Sequence, residues 1–260
     1  MMKIIDPIIE VENYSGTKIM KNIERACRTC YRSEGNITEE SYKKLLSNCI
    51  NRGHESVLEH EKITIRMTCD IGVYKDLTRH RFGSFSIEST RYCNYGKDKF
   101  DNELKFIKPV FFKGNIDLFE TDEAGLYVYK NEVGEDIISN KTECLQSDKD
   151  LWKSYIWYNT MKNIETQYMA MTELGAKPDE LRMILPHSTA AQVTMTANIR
   201  EWKHILDLRT KSMTHPAIRQ LLIPLLLKFK KDMPEIFNSI EYDKNFPEDK
   251  YAKLSIMEEN

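Results

Sequence analysis

Glycine-built phosphate cradles are missing from this 260-residue sequence. It has no Gly-x-Gly-x-x-Gly after a strand pattern and no Walker-type Gly-Lys-Ser/Thr. Any phosphate it binds must therefore be held by side chains. No serine sits in a nucleophile elbow, and Ser84 and Ser89 lie among arginines with no evident base in the sequence. Covalent catalysis by serine is disfavoured. Long apolar runs are lacking too: Leu221 to Leu227 is too short to span a membrane, and Met-Met-Lys-Ile-Ile-Asp-Pro has no signal-peptide core. No membrane partner and a cytoplasmic location are expected. An excess of positive charge is absent, since 38 Lys and Arg oppose 40 Asp and Glu for a formal net charge of -2. That argues against a nucleic-acid partner.

Metal-ligand spacing is also wanting. Cys27-x-x-Cys30 is the only tight pair among six scattered cysteines, and it falls inside a helical pattern. Without a second pair or a strand-to-helix redox turn it reads as structural thiols. His54 and His60 are separated by five residues, which is no standard ligand spacing on a helix, so no metal is expected. There is no internal repeat and no low-complexity linker. With 41% hydrophobic and 30% charged residues, the chain reads as one globular domain, 1–260.

The elements follow from periodicity. Residues 3–12 alternate weakly as a first strand, and a helix is expected from Thr17 to Tyr31. Thr38 reads as the N-cap of a second helix through Ile50, with Gly53 as its left-handed terminator. Ile63 to Cys69 alternates strictly and predicts a half-buried strand, followed by a short helical segment from Ile71 to Thr78. Lys105 to Phe112 reads as an edge strand interrupted by Pro109. Residues 113–147 look like a variable insertion with a hairpin arm at Leu126 to Tyr129 and turns at Gly114, Gly125 and Gly134. A long helix is expected from Asp148 to Leu174, its Met and aromatic stripe serving as core or subunit interface. A helix from Pro178 to Pro186, a strand from Thr189 to Thr196, and helices after Asn198 and Pro216 follow, the last with a kink at Pro224. Residues 240–260 read as a charged tail.

Two polar clusters stand out. Arg79-His80-Arg81-Phe82-Gly83-Ser84-Phe85-Ser86-Ile87-Glu88-Ser89-Thr90-Arg91-Tyr92 reads as a loop carrying three arginines, whose planar forks suit phosphate. The bland alternative is a solvated basic turn. Arg182, Asn198-Ile199-Arg200, His204 and Arg209 form the second cluster, with Asn198, Arg200 and His204 near the start of one helix, where anions are favoured. Arg209 on a largely apolar segment either pairs with an acid or faces a ligand.

Taken in order, Gly53-His54-Glu55-Ser56 with Glu59-His60, Arg79-His80-Arg81 followed after seven residues by Ser89-Thr90-Arg91-Tyr92, Arg182-Met-Ile-Leu-Pro186, Asn198-Ile199-Arg200, His204 and Arg209 resemble the flavin-dependent thymidylate synthases. The resemblance spans about residues 15–230. It implies an α+β domain, with a mostly antiparallel sheet packed by long helices, assembled as a homotetramer with active sites between subunits. It implies reductive methylation of dUMP to dTMP with methylenetetrahydrofolate as carbon donor and FAD, reduced by NADPH, as hydride carrier, without a cysteine nucleophile. Carried over by position, Ser56, Arg79, His80, Arg81, Asn198, Arg200 and His204 contact FAD, and His54 stacks beside flavin and folate. Asp76, Arg79, Ser89, Thr90, Arg91 and Arg182 surround dUMP. Arg209 faces the uracil and stabilises its N3 anion. The chain departs from the commoner motif at Ser86-Ile87, where Asn-Glu is usual. A glutamate contact cannot be carried to Ile87, and either Glu88 substitutes or backbone groups do. Asp76 and His204 also replace the more common Gln or Glu and Asn. Two rivals remain: a nucleotide- or flavin-binding homologue without methylation activity, and a nucleic-acid-binding module using the arginine stretch.

Overall fold

Strict alternation at Ile63, Ile65, Met67 and Cys69 becomes the central strand of the molecule. The computed structural model describes residues 2–114, 116–120, 127–130 and 134–257. In chain order the strands are β1 (Lys3–Ile5), β2 (Ile8–Glu12), β3 (Lys62–Asp70), β4 (Gly83–Ile87), β5 (Lys105–Ile107), β6 (Tyr127–Lys130), β7 (Asp136–Ser139), β8 (Ala190–Asn198) and β9 (Lys253–Met257). The helices are α1 (Gly16–Thr29), α2 (Ser41–Asn51), α3 (Ile71–Leu77), α4 (Ile116–Glu120), α5 (Lys141–Gln146), α6 (Lys149–Glu173), α7 (Pro178–Leu181), α8 (Ile199–Arg209), α9 (Pro216–Asp232) and α10 (Pro234–Phe237). The described residues fall into two compact units, those within 6–88 and 190–260, and those within 1–5 and 89–189. No linker composition marks this division, because the chain enters and leaves each unit at element ends.

The larger unit holds a five-stranded sheet in the order β4-β8-β3-β2-β9, antiparallel except for the β2–β9 pair. Register aligns the apolar positions: Ile65 opposes Val11 and Met195, and Met67 opposes Ile9 and Val193. A one-residue slip would turn these side chains to the other face, so burial specifies the pairing. Their cover comes from Ile19 and Ile23 of α1, Trp202, Ile205 and Leu206 of α8, and Leu221, Leu222, Leu225 and Phe229 of α9, all buried. Each such side chain contributes roughly 1.5–3 kcal/mol on leaving water.

Several local expectations are corrected. Residues 3–12 split into two strands, β1 and β2, which join different sheets. Helix α2 starts at Ser41 rather than after Thr38, since Ser41 Oγ accepts from the Thr38 N–H (2.8 Å) and donates to Glu24 (2.6 Å). Pro224 lies inside α9 without ending it. The carbonyl it deprives of a helical donor, Gln220 O, accepts from Ala252 N–H at 2.9 Å. That bond anchors the segment entering β9, so residues 253–257, read as charged tail, instead form an edge strand beside β2. Gly53, at φ +74°, terminates α2 as expected. Cys27 is buried 3.8 Å from Cys49 with its thiol pushed up to about 12 by burial, whereas Cys30 is exposed; the Cys27-x-x-Cys30 pair is not a disulfide.

In the smaller unit β1 and β5 pair in parallel, and the 25-residue α6 carries the core. Asp148 caps α6 by accepting from Asp150 and Leu151 N–H groups, and Gly175 at φ +84° ends it. Its expected Met and aromatic stripe is core: Met161 and Tyr168 pack with Tyr95, Leu104, Phe106 and Leu181. β6 and β7 make an antiparallel hairpin that includes Tyr127 to Tyr129, while Gly125 and Leu126 lie outside the described residues.

Candidate functional site

The arginine stretch is delivered by a strand-helix-strand unit in the larger unit. Asp70 ends β3 and caps α3, accepting from Val73 N–H at 2.8 Å. The turn after α3 closes with Arg79 N–H to Asp76 O (3.3 Å) and His80 N–H to Leu77 O (3.0 Å). It drives His80 inward, to 6% exposure, and leaves Arg79 and Arg81 exposed on either side. The stretch is not a loop beyond that point, because Gly83–Ile87 pairs with β8 as β4. Gly83, Phe85 and Ile87 are the half-buried positions, and Phe85 and Ile87 pack on the core. Ser84 and Ser86 face outward.

From the other direction, β8 ends at Asn198, whose side chain caps α8 by accepting from Glu201 N–H at 2.8 Å. Ile199 N–H donates to Glu61 O at 2.9 Å, tying the start of α8 to the 3-10 turn Ser56–His60. These elements enclose an open cleft of about 920 Å3. Arg79, His80, Arg81, Phe82, Asn198, Arg200 and His204 line it together with Glu55, Glu59, Glu201, Lys203, Asp207, Ser239 and Ile240. Six of the residues expected to contact FAD thus meet in one place.

Its electrostatics divide into three parts. Arg200 donates to Glu59 (2.6 Å) and lies 4.0 Å from Glu55, which also binds Lys203. Arg79 and Arg81 form no ion pair among the described residues and are the open cationic forks of the cleft. Behind them His80 Nε2 accepts from Arg209 Nε at 3.1 Å, while its Nδ1 lies 3.5 Å from Glu201 Oε1. The His204 ring meets it edge-on at 5.8 Å. Burial first, then the charge of Arg209 and the proximity of His204, push the His80 imidazole down to about 4. Its ring is therefore neutral at neutral pH, not a third cation between two arginines. Arg209, left open between an acid and a ligand, also donates to Asp76 O at 3.2 Å and pairs with no acid among the described residues.

Other expected residues lie elsewhere. His54 and Ser56 are exposed and outside the cleft lining, although Glu55 and Glu59 from the same turn are within it. Glu88 is held to β8: its N–H donates to Gln192 O (2.8 Å) and its carboxylate accepts from Gln192 N–H (3.1 Å). Ser89, Thr90, Arg91 and Arg182 belong to the smaller unit. There Ser89 organises a turn, its carbonyl accepting from Tyr92 and Cys93 N–H, and Arg182 opens an exposed 3-10 turn. Sequence reasoning missed Glu201, although Asn198-x-x-Glu201 has the N-cap-to-third-residue spacing at which acids favour helix starts. No group of three or more metal-capable side chains occurs among the described residues, and none of their helices is long and apolar enough to cross a membrane.

The fold is shared with solved structures of a UMP/dUMP methylase and of a flavin-dependent thymidylate synthase. The UMP/dUMP methylase PolB from Streptomyces cacaoi, bound with 5-Br dUMP, superposes with a TM-score of 0.64 at 21% identity, covering 91% of this chain and 96% of that one. Flavin-dependent thymidylate synthase ThyX from Helicobacter pylori, complexed with FAD and dUMP, gives 0.60 at 18% identity over 91% and 99%. In sequence, residues 13–235 match the family described as thymidylate synthase complementing protein. Proteins named flavin-dependent thymidylate synthase are 27% identical in Thermosipho melanesiensis, over 83% of this chain and 82% of that protein, and 24% identical in Haloarcula marismortui, over 89% and 87%. The chain belongs to the flavin-dependent thymidylate synthase family.

Proposed function

We propose that the protein catalyses the reductive methylation of dUMP to dTMP, with methylenetetrahydrofolate as carbon donor, NADPH as reductant and FAD as cofactor. One observation carries the reading. Arg79, His80, Arg81, Asn198, Arg200 and His204, two groups far apart in sequence, line a single cleft. The donor set suits FAD. Arg79 and Arg81 offer cationic forks for a pyrophosphate, His80 and His204 offer flat rings, and a cleft of about 920 Å3 is at the upper end of small-molecule sites. When bound, FAD supplies the hydride that reduces the transferred carbon.

The chain's own residues do the rest. Arg91 and Arg182 grip the nucleotide phosphate, and Asp76, Arg79, Ser89 and Thr90 contact the remainder of dUMP. Arg209 stabilises the N3 anion of the uracil, which raises electron density at C5, the carbon that is methylated. Its anchorage on His80 Nε2 and Asp76 O supports this role, since a guanidinium fixed at two points is pre-organised for a third contact. His54 and Ser56 serve from the turn that carries Glu55 and Glu59, and backbone groups at the end of β4 take the contact that Ile87 cannot make. The reading includes the family's homotetramer, with active sites between subunits, and a cytoplasmic location.

The test is to supply the FAD-loaded protein with dUMP, methylenetetrahydrofolate and NADPH and assay dTMP. Arg209→Ala should abolish dTMP formation while FAD stays bound; normal turnover by that variant refutes its role. A second reading, a flavin-binding homologue that does not methylate, is favoured by Ile87 facing the core and Glu88 being tied to β8. NADPH oxidation with no nucleotide product would select it.

A further inference from the structure

We propose that Glu201 is a positioning residue: by accepting the Nδ1 proton of His80 it holds the imidazole in the tautomer whose Nε2 lone pair orients Arg209. The consequence for turnover rests on the thymidylate-synthase reading above, whereas the tautomer itself does not.

The argument starts at Arg209. A guanidinium keeps its protons at any ordinary pH, so the 3.1 Å contact from Arg209 Nε requires His80 Nε2 to be the acceptor. A neutral imidazole has one N–H and one lone pair, and with the lone pair on Nε2 the proton sits on Nδ1. Nδ1 faces Glu201 Oε1 at 3.5 Å, with the two side chains only 5% and 10% exposed. Glu201 is itself held by α8, whose first turn takes its N–H to Asn198. An acid that merely favoured the helix start would face solvent; this one is buried and turned to a ring. Enclosing a carboxylate is costly unless a donor meets it, and the Nδ1 proton is that donor.

At the far end, two of the five N–H groups of Arg209 are used, Nε by His80 and one on Nη2 by Asp76 O. The plane of the fork is thereby set. The opposite tautomer would aim the Nε2 proton at the Nε proton of Arg209 and expel the guanidinium from its seat. Glu201 therefore acts on a ligand of Arg209 through two intervening hydrogen bonds without touching it.

The test uses the full-length, FAD-loaded protein labelled with 15N-histidine, and reads the His80 ring nitrogens by NMR at about pH 7.5, where a free imidazole is neutral. Wild type should carry the proton on Nδ1. Glu201→Leu should move a large share of it to Nε2, raise KM for dUMP about tenfold, the loss of one charge-assisted hydrogen bond, and leave FAD affinity within about twofold. Glu201→Gln, whose amide oxygen still accepts, should restore the wild-type tautomer. Should Glu201→Leu fail to fold, Glu201→Asp withdraws the carboxylate by one methylene and should shift the tautomer part of the way. An unchanged His80 tautomer in Glu201→Leu or Glu201→Asp overturns the proposal, as does an equal loss of dUMP and FAD binding. Wild type that forms no dTMP would refute the thymidylate reading alone, since the ring-nitrogen spectrum decides the role of Glu201 without turnover.

Discussion

Acid should destabilise this protein through His80, by an amount the site geometry sets. The imidazole is pushed from its ordinary 6.5 down to about 4 in the folded chain, because it is enclosed and Arg209 donates to it. The sign follows from proton counting. Below 6.5 the unfolded chain takes up a proton that the folded chain refuses, so stability falls as pH drops and stops falling from this cause below about 4. Between pH 7.5 and pH 5 the two titration curves separate by about 2 kcal/mol, or about 1–2 once partial solvent access to the cleft is allowed for. His80→Gln removes the titration while its amide oxygen can still accept from Arg209. Urea unfolding of both proteins at the two pH values is the assay. Wild type should lose about 1–2 kcal/mol more than His80→Gln over that interval. Equal losses would mean His80 is protonated in the folded state, and the hydrogen bond from Arg209 would then be impossible.

Two further outcomes test separate links. Asn198→Ala should cost about 1 kcal/mol in denaturant unfolding, since it leaves Glu201 N–H in the first turn of α8 without its acceptor; no change would mean water replaces the cap freely. Arg91→Ala should weaken dUMP binding far more than FAD binding, measured by calorimetry, and a matched loss of both would refute the division of roles between Arg91 and the cleft arginines.

How much of this was legible before folding depends on the scale of the signal. β3 could be read because a period-2 pattern and burial on one face are the same fact. α6 announced its ends through Asp148 and Gly175. β9 could not be read: Lys253–Met257 is short and only half-buried, and its pairing depends on Ala252 N–H filling the carbonyl that Pro224 vacates 28 residues earlier. The six cleft residues shared by α8 and the arginine turn were found because a family pattern fixes identity and order, which survive divergence better than local propensity does. Glu55 and Glu59 belong to the polar run Gly53 to His60 that the sequence singles out, whereas Lys203 was missed because a charge on a helix face looks the same whether it faces a cleft or open solvent.

The departure at Ser86-Ile87 becomes intelligible through strand register. β4 alternates, with Gly83, Phe85 and Ile87 turned toward the core and Ser84 and Ser86 turned out. Ile87 opposes Val193, so its side chain adds to an apolar face where a carboxylate would have to be desolvated. Glu88 cannot simply take over a role at 87. In a strand, a neighbour one position on points to the opposite face, and here its carboxylate is already occupied by Gln192 N–H. With position 87 given to packing, the cationic forks open to the cleft lie outside the strand, Arg79 and Arg81 on the turn, with Arg209 anchored behind them on His80. The expected consequence is that function should tolerate Glu88→Gln, whose amide oxygen can still accept from Gln192. A loss of dTMP formation in that variant with normal stability would show that the charge of Glu88 reaches the ligand after all.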